Sequence, residues 1–174
     1  MDRLSPYNLS AWIERNRDEL RPPVGNKMVW RDSQFLVMVV GGPNRRKDYH
    51  VEDGEEFFYQ VEGDITLRIM EDGAPRDIPI REGEIFLLPA RVPHSPQRPE
   101  NTVGLVIERV RRDGELDHLR WYCEGCGEIL HDAVFELVDL GSQLKPIIEG
   151  FFADLSLRTC GKCGVVMEAP GSRE

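Results

Sequence analysis

The chain has 174 residues, enough for one sizeable core or for one domain with an appendage. Its formal net charge of −9 is spread along the sequence rather than gathered in blocks, which favours solubility and argues against nucleic acid as a partner. No apolar run is long enough to span a membrane and Met1-Asp2-Arg3-Leu4-Ser5-Pro6 lacks secretory character, so a cytoplasmic protein is expected.

The first predicted element is a short helix over residues 10–20. Ser10 is placed to cap it, Trp12, Ile13, Asn16 and Leu20 share a face, and Arg21-Pro22-Pro23 stops it. From Met28 onward the pattern shifts to short strands. Residues 35–40 form a continuous β-rich apolar run closed by Gly41-Gly42-Pro43. Residues 56–61 alternate, with Glu56, Phe58 and Gln60 on one face and Phe57, Tyr59 and Val61 on the other. Gly63-Asp64 turns the chain into a hairpin partner over 65–70, and further strands are expected over 77–80, 85–88 and 103–110. Short strands separated by Gly-rich turns, with no βαβ unit and no repeat, indicate a sandwich or barrel.

After Gly114 the sequence changes character. Cys123-Glu124-Gly125-Cys126-Gly127 and Cys160-Gly161-Lys162-Cys163-Gly164 are two Cys-x-x-Cys-Gly knuckles resembling those of rubredoxin. Four thiolates suit Zn or Fe in a tetrahedron with no open position, and a reducing compartment disfavours disulfides. A strand over 134–140 and a helix over 146–152 are expected between the knuckles, and 169–174 reads as a frayed tail. The chain thus divides into residues 1–114 and a smaller metal-binding region, 115–174.

His50, Glu56 and His94 carry the chemistry of the first region. Each histidine alone reads as a structural residue, but their framing is regular. Gly42 precedes Asp48 by five intervening residues, His50 and Glu56 follow, and six residues separate Glu56 from Gly63; Gly83, Pro89 and His94 form a second set. Two imidazoles and a carboxylate make the facial triad that leaves open positions on Fe(II). An inward carboxylate at Glu56 is costly unless a cation faces it. His118 and His131 lie outside these sets and read as structural or surface residues. The basic clusters Arg45-Arg46-Lys47 and Arg111-Arg112 read as solvated surface, Arg46 excepted.

These two sets resemble the paired motifs of the cupins, with departures. Asp48 stands where the first motif has a histidine, Glu56 comes one residue late, and Arg91 and Arg98 replace a Gly and an Asn of the second motif. Three protein ligands rather than four would then hold the metal. The strings Val24-Gly25-Asn26, Val39-Val40-Gly41-Gly42-Pro43-Asn44, Asp48-Tyr49-His50, Glu55-Glu56-Phe57-Phe58-Tyr59-Gln60, Ile85-Phe86-Leu87-Leu88-Pro89, His94-Ser95-Pro96-Gln97-Arg98-Pro99 and Trp121-Tyr122-Cys123 resemble the 3-hydroxyanthranilate 3,4-dioxygenase family.

That resemblance implies a mainly β cupin jelly roll with a C-terminal four-cysteine region, in a homodimer. It implies Fe(II) on His50, Glu56 and His94, and iron on the cysteines of the bacterial form. The substrates would be 3-hydroxyanthranilate and dioxygen, and the product 2-amino-3-carboxymuconate semialdehyde, which closes to quinolinate. Arg98, four residues after His94, returns to the same face, where its guanidinium can grip a substrate carboxylate through two parallel hydrogen bonds. Arg46, four residues before His50, has a family counterpart that contacts bound dioxygen. Glu108 interrupts an apolar strand on the face of Val106 and Val110, so a substrate amine or hydroxyl is its expected partner. Asn26 is expected in a loop over the pocket. A ligand-sensing cupin without catalysis, or a dioxygenase for a related aminophenol or catechol, are the alternatives.

Overall fold

A computed structural model describes residues 5–21, 25–30, 33–44 and 46–170. The expected stop at Pro22-Pro23, Val24, Arg45 and the last four residues of the tail lie outside the described residues. Helix α1 spans Leu9–Asn16 and tightens into a 3-10 turn over Arg17–Leu20. Its cap is Asn8 rather than Ser10: the Asn8 Oδ1 accepts from the Ala11 amide at 2.9 Å, satisfying one of the amides a helix start leaves free. Trp12, Ile13 and Leu20 are buried against Val29, Val39 and Val103, so this segment covers the outer face of a sheet. Asn16 is only partly buried and donates to the Trp12 carbonyl at 2.6 Å.

Eleven strands follow among the described residues: β1 (Asn26–Met28), β2 (Phe35–Gly41), β3 (Tyr49–Val51), β4 (Glu56–Glu62), β5 (Ile65–Glu71), β6 (Ala74–Ile80), β7 (Ile85–Leu88), β8 (His94–Gln97), β9 (Val103–Arg109), β10 (Asp117–Tyr122) and β11 (Ile129–Phe135). They form a five-stranded sheet, β1-β2-β9-β4-β7, and a six-stranded sheet, β11-β10-β3-β8-β5-β6. Every pairing is antiparallel. Met38, Phe58, Leu88 and Val106 of the first sheet pack against Ile65, Leu67, Ile69 and Ile80 of the second, giving the two-layered jelly roll expected. Register decides what faces this interior. One row across the first sheet is Leu36, Glu108, Glu56, Leu88; another is Asn26, Val40, Gly104, Gln60.

The C-terminal elements differ from expectation. The strand expected over 134–140 is β11, ending at Phe135, and its partner β10 was not foreseen. Phe135 pairs with Asp117, the first residue of β10, so nothing remains for residues 136–140 to pair with. Strand β10 also pairs with β3 through Leu119↔His50, so the sheet runs past residue 114 into the region carrying the cysteines. The helix expected over 146–152 is longer: α2 spans Leu140–Ala153 with Pro146 inside it, and α3 spans Leu155–Arg158. Phe151 of α2 stacks on Trp121 of β10 with centroids 4.2 Å apart, in a cluster with Leu119 and Met167. Among the described residues no helix is long and apolar enough to cross a membrane.

Candidate metal centre

Strands β3 and β8 pair at His50↔His94, which sets the two rings 5.4 Å apart between their centroids. Glu56 opens β4 in the facing sheet and points inward, in the alternation with Phe58 and Gln60. One donor atom from each of His50, Glu56 and His94 lies within 4.8 Å of the others, and all three residues are buried. The His94 Nε2 stands 2.7 Å from the Glu56 Oε2, yet that oxygen has no hydrogen-bond partner. Together with His50 they are close enough to serve as ligands of one cation. Two neutral imidazoles and a carboxylate fit a divalent transition ion. Burial alone would raise the Glu56 pKa, but His94 and His50 outweigh it and hold it low.

The residues 1–152 match the family profile of 3-hydroxyanthranilic acid dioxygenase. The chain belongs to that family. It is 52% identical to the 3-hydroxyanthranilate 3,4-dioxygenase of Xanthomonas oryzae pv. oryzae, over 96% of this chain and 94% of the relative. It is also 52% identical to the enzyme of the same name from Jannaschia sp., over 95% and 93%. Among solved structures, a cupin-2 domain containing protein from Shewanella frigidimarina aligns at a TM-score of 0.41 and 17% identity, over 49% of this chain and 79% of that one.

Within this family member, Asp48 stands where the first cupin motif has a histidine. Asp48, at that position, is buried and turned to Arg46, whose Nε donates to its Oδ2 at 3.0 Å. It pairs with a cation and is not among the three converging donors.

Behind the three donors lies a buried charge cluster that the sequence did not disclose. The His50 Nε2 is 2.6 Å from the Asp117 Oδ2. The Arg111 Nε and Nη2 each donate to Asp117 at 2.7 Å, and its Nη1 lies 2.7 Å from the Glu52 Oε2 and 3.2 Å from the Glu108 Oε1. Arg111, expected at a solvated surface beside Arg112, is 6% exposed at its side chain. The correction has a simple cause: three buried carboxyl groups converge there, and one guanidinium offsets them. Burial would raise the Asp117 pKa, but the hydrogen bonds from Arg111 and His50 hold it at about 2. The Glu52 pKa is driven the other way, upward, by burial first and then by the neighbouring Glu108. One signal for Glu52 was available, since it lies two positions after His50 and shares its face in an extended chain.

Arg98 follows β8 directly and is buried. Its amide donates to the Asn44 Oδ1 at 2.9 Å and its Nη1 to the Gln60 Oε1 at 3.4 Å. Among the described residues it forms no ion pair with a carboxylate. Burial without such a partner lowers its pKa to about 10, against the pull of Glu56 and with the push of Arg46. Glu108 is paired across β4 and β9 with Glu56, beside the three donors, and burial raises its pKa. Asn26 lies in strand β1 rather than in a loop, but its row with Val40, Gly104 and Gln60 turns it to the same interior as Arg98. A groove of about 780 Å³ lies on the opposite face of the six-stranded sheet, between Tyr49, Gln97 and the first knuckle. Of these site residues only Arg46 lines it.

The four cysteines are brought together as expected, with the Cys123 and Cys163 sulfurs 3.5 Å apart and those of Cys126 and Cys160 3.6 Å apart. No disulfide joins them. The two knuckles repeat one geometry. The Gly127 amide donates to the Cys123 carbonyl and the Gly164 amide to the Cys160 carbonyl, both at 2.9 Å, with φ of 73° and 75° at the two glycines. A side chain at either would be strained, so glycine is what permits the turn. His118 bonds to Asp132 at 2.9 Å and His131 stacks near Trp121 and Phe151, both away from the donors.

Proposed function

We propose that this chain is a non-haem Fe(II) dioxygenase that opens the ring of 3-hydroxyanthranilate with both atoms of dioxygen. The carbon–carbon bond beside the hydroxyl-bearing carbon breaks; one carbon becomes a carboxylate and the other an aldehyde, giving 2-amino-3-carboxymuconate semialdehyde. The observation that carries this reading is Arg98, a buried guanidinium with no carboxylate partner among the described residues, in the same interior as the three donors. A carboxylate on the substrate supplies the missing partner through a bidentate fork. His50, Glu56 and His94 would hold the metal, and Fe(II) there supplies open coordination positions for the ring substituents and dioxygen.

The rest of the work belongs to the chain's own side chains. Arg98 orients the ring by its carboxylate. Glu108, with its pKa raised by burial, faces the ring hydroxyl or amine as a hydrogen-bond partner. Arg46, held by Asp48, places a positive charge beside the donors where dioxygen is reduced, and Asn26 borders the ring. The apolar row of Met38, Phe58 and Val106 excludes water from the reacting groups. The region 115–174 would fold around Fe or Zn on Cys123, Cys126, Cys160 and Cys163 in a structural site. A cytoplasmic homodimer supplying quinolinate, for NAD synthesis or within aromatic catabolism, completes the reading.

Oxygen uptake by Fe(II)-loaded protein offered 3-hydroxyanthranilate, with absorbance of the ring-opened product followed, tests it. Stoichiometric uptake is expected, with 2-aminophenol a poor substrate. Tight binding of 3-hydroxyanthranilate without oxygen consumption would instead identify a sensing module.

A further inference from the structure

Gly104 of β9 sits opposite Gln60 of β4. A Cβ built on Gly104 would lie 2.9 Å from the Arg98 Nη1, 2.9 Å from the Gln60 Oε1 and 3.3 Å from the Arg98 Nη2. The guanidinium therefore rests on bare backbone, in space that any larger residue would take. The Gln60 amide is fixed in direction, because its Nε2 donates to the Glu62 carbonyl at 2.8 Å and leaves Oε1 to accept from Arg98. Gln60 is itself almost fully buried. From the other side, Asn44 holds the Arg98 amide and anchors its own Nδ2 on the Pro96 carbonyl at 2.9 Å.

A buried guanidinium ordinarily faces a carboxylate, which offsets the cost of taking its charge out of water. Here the side chain that fixes it is a neutral amide. A glutamate at position 60 would have nearly the same shape but would satisfy the charge internally. We propose that Gln60 and Gly104 form a neutral cradle that positions the Arg98 guanidinium while leaving its charge for the substrate carboxylate, which makes both residues determinants of specificity for carboxylated rings. This rests on the assignment of Arg98 to that carboxylate.

Anaerobic calorimetric titration of the Fe(II)-loaded enzyme with 3-hydroxyanthranilate and with 2-aminophenol tests the cradle, alongside KM and kcat. Gln60→Glu is expected to weaken binding of the carboxylated ring about 10- to 100-fold, the worth of a charged hydrogen bond. The loss should appear in KM more than in kcat, with 2-aminophenol binding changed little. Gln60→Leu, which stays neutral, should lose much less. Gly104→Ala should act in the same direction as Gln60→Glu by displacing the guanidinium, and it stands in should Gln60→Glu not fold. Equal losses in Gln60→Glu and Gln60→Leu, or equal losses for both rings, would overturn the cradle, because they report packing alone. Arg98→Lys separates the two levels of inference. If it fails to discriminate the rings, the carboxylate assignment falls; if it discriminates and Gln60→Glu does not, the cradle alone falls.

Discussion

Arg111 contacts Asp117, Glu52 and Glu108 from a buried position, and Asp117 in turn contacts His50. Replacing it by Met would leave carboxyl groups buried without their cation. Removing one partner of such a pair costs about 3–5 kcal/mol, so chemical denaturation of Arg111→Met should show a loss of that order. Replacing His50, Glu56 or His94 by Ala should each remove the barrel metal and abolish turnover with the fold kept, as metal analysis and circular dichroism would show. A variant with normal metal content would remove that residue from the ligand set. Arg98→Lys should raise KM for 3-hydroxyanthranilate roughly 10- to 100-fold, because a point charge replaces a fork. The gathering of His50, Glu56 and His94 was legible from the Gly- and Pro-framed motifs, and the inward faces of Arg98 and Glu108 from their spacing along strands, while their roles are proposals. Arg111 and Asp117 were not legible. An Arg-Arg doublet after a strand looks like a solvated turn, and only the packing of β3 and β10 beside it brings Glu52 and Asp117 to join Glu108 around Arg111.

The strands that carry alternation were legible as elements: β4 and β5 bury every second residue, as their sequences require. The failures came where pairing rather than pattern decides. Residues 136–140 are apolar enough for a strand, but β10 offers them no partner, and Val138 is left 82% exposed. Strand β10 escaped notice because Asp117, His118 and Arg120 interrupt its apolar positions, and each has a specific partner in the fold. The turn before Pro43 gives a test at this scale. A Cβ on Gly42 would lie 2.0 Å from the Pro99 carbonyl oxygen and 2.5 Å from the Thr102 Oγ1. Since backbone must yield, Gly42→Ala should cost at least about 1–3 kcal/mol in a denaturant titration. It should also raise KM, because Pro99 adjoins Arg98. An unchanged unfolding midpoint would mean that this approach is looser than the structure shows.

At the scale of the molecule, the six-stranded sheet carries His50 and His94 on β3 and β8 and leads into the first cysteine knuckle after β10, so two groups of candidate metal donors stand apart without a shared residue. Cys123 lies beyond the far end of β10 from Asp117, and Cys160 beyond α3. Cys160→Ser should therefore lower metal content by about one ion per chain and loosen the tail, because binding energy at a thiolate site is folding energy. The barrel metal and turnover per barrel iron should persist within about a few-fold. Loss of oxygen consumption with substrate binding intact would give the tail a part in catalysis. The strand that separates these sites also sets a timetable. His50 lies in β3, near the start of the barrel, yet one edge of β3 is completed only by β10, after β4 through β9 have been made. On the ribosome, β3 must wait with that edge open while residues 52–116 are added, so His50 meets Asp117 only after the strands between them have been made. A chain released before Asp117 would present that unpaired strand edge to its neighbours.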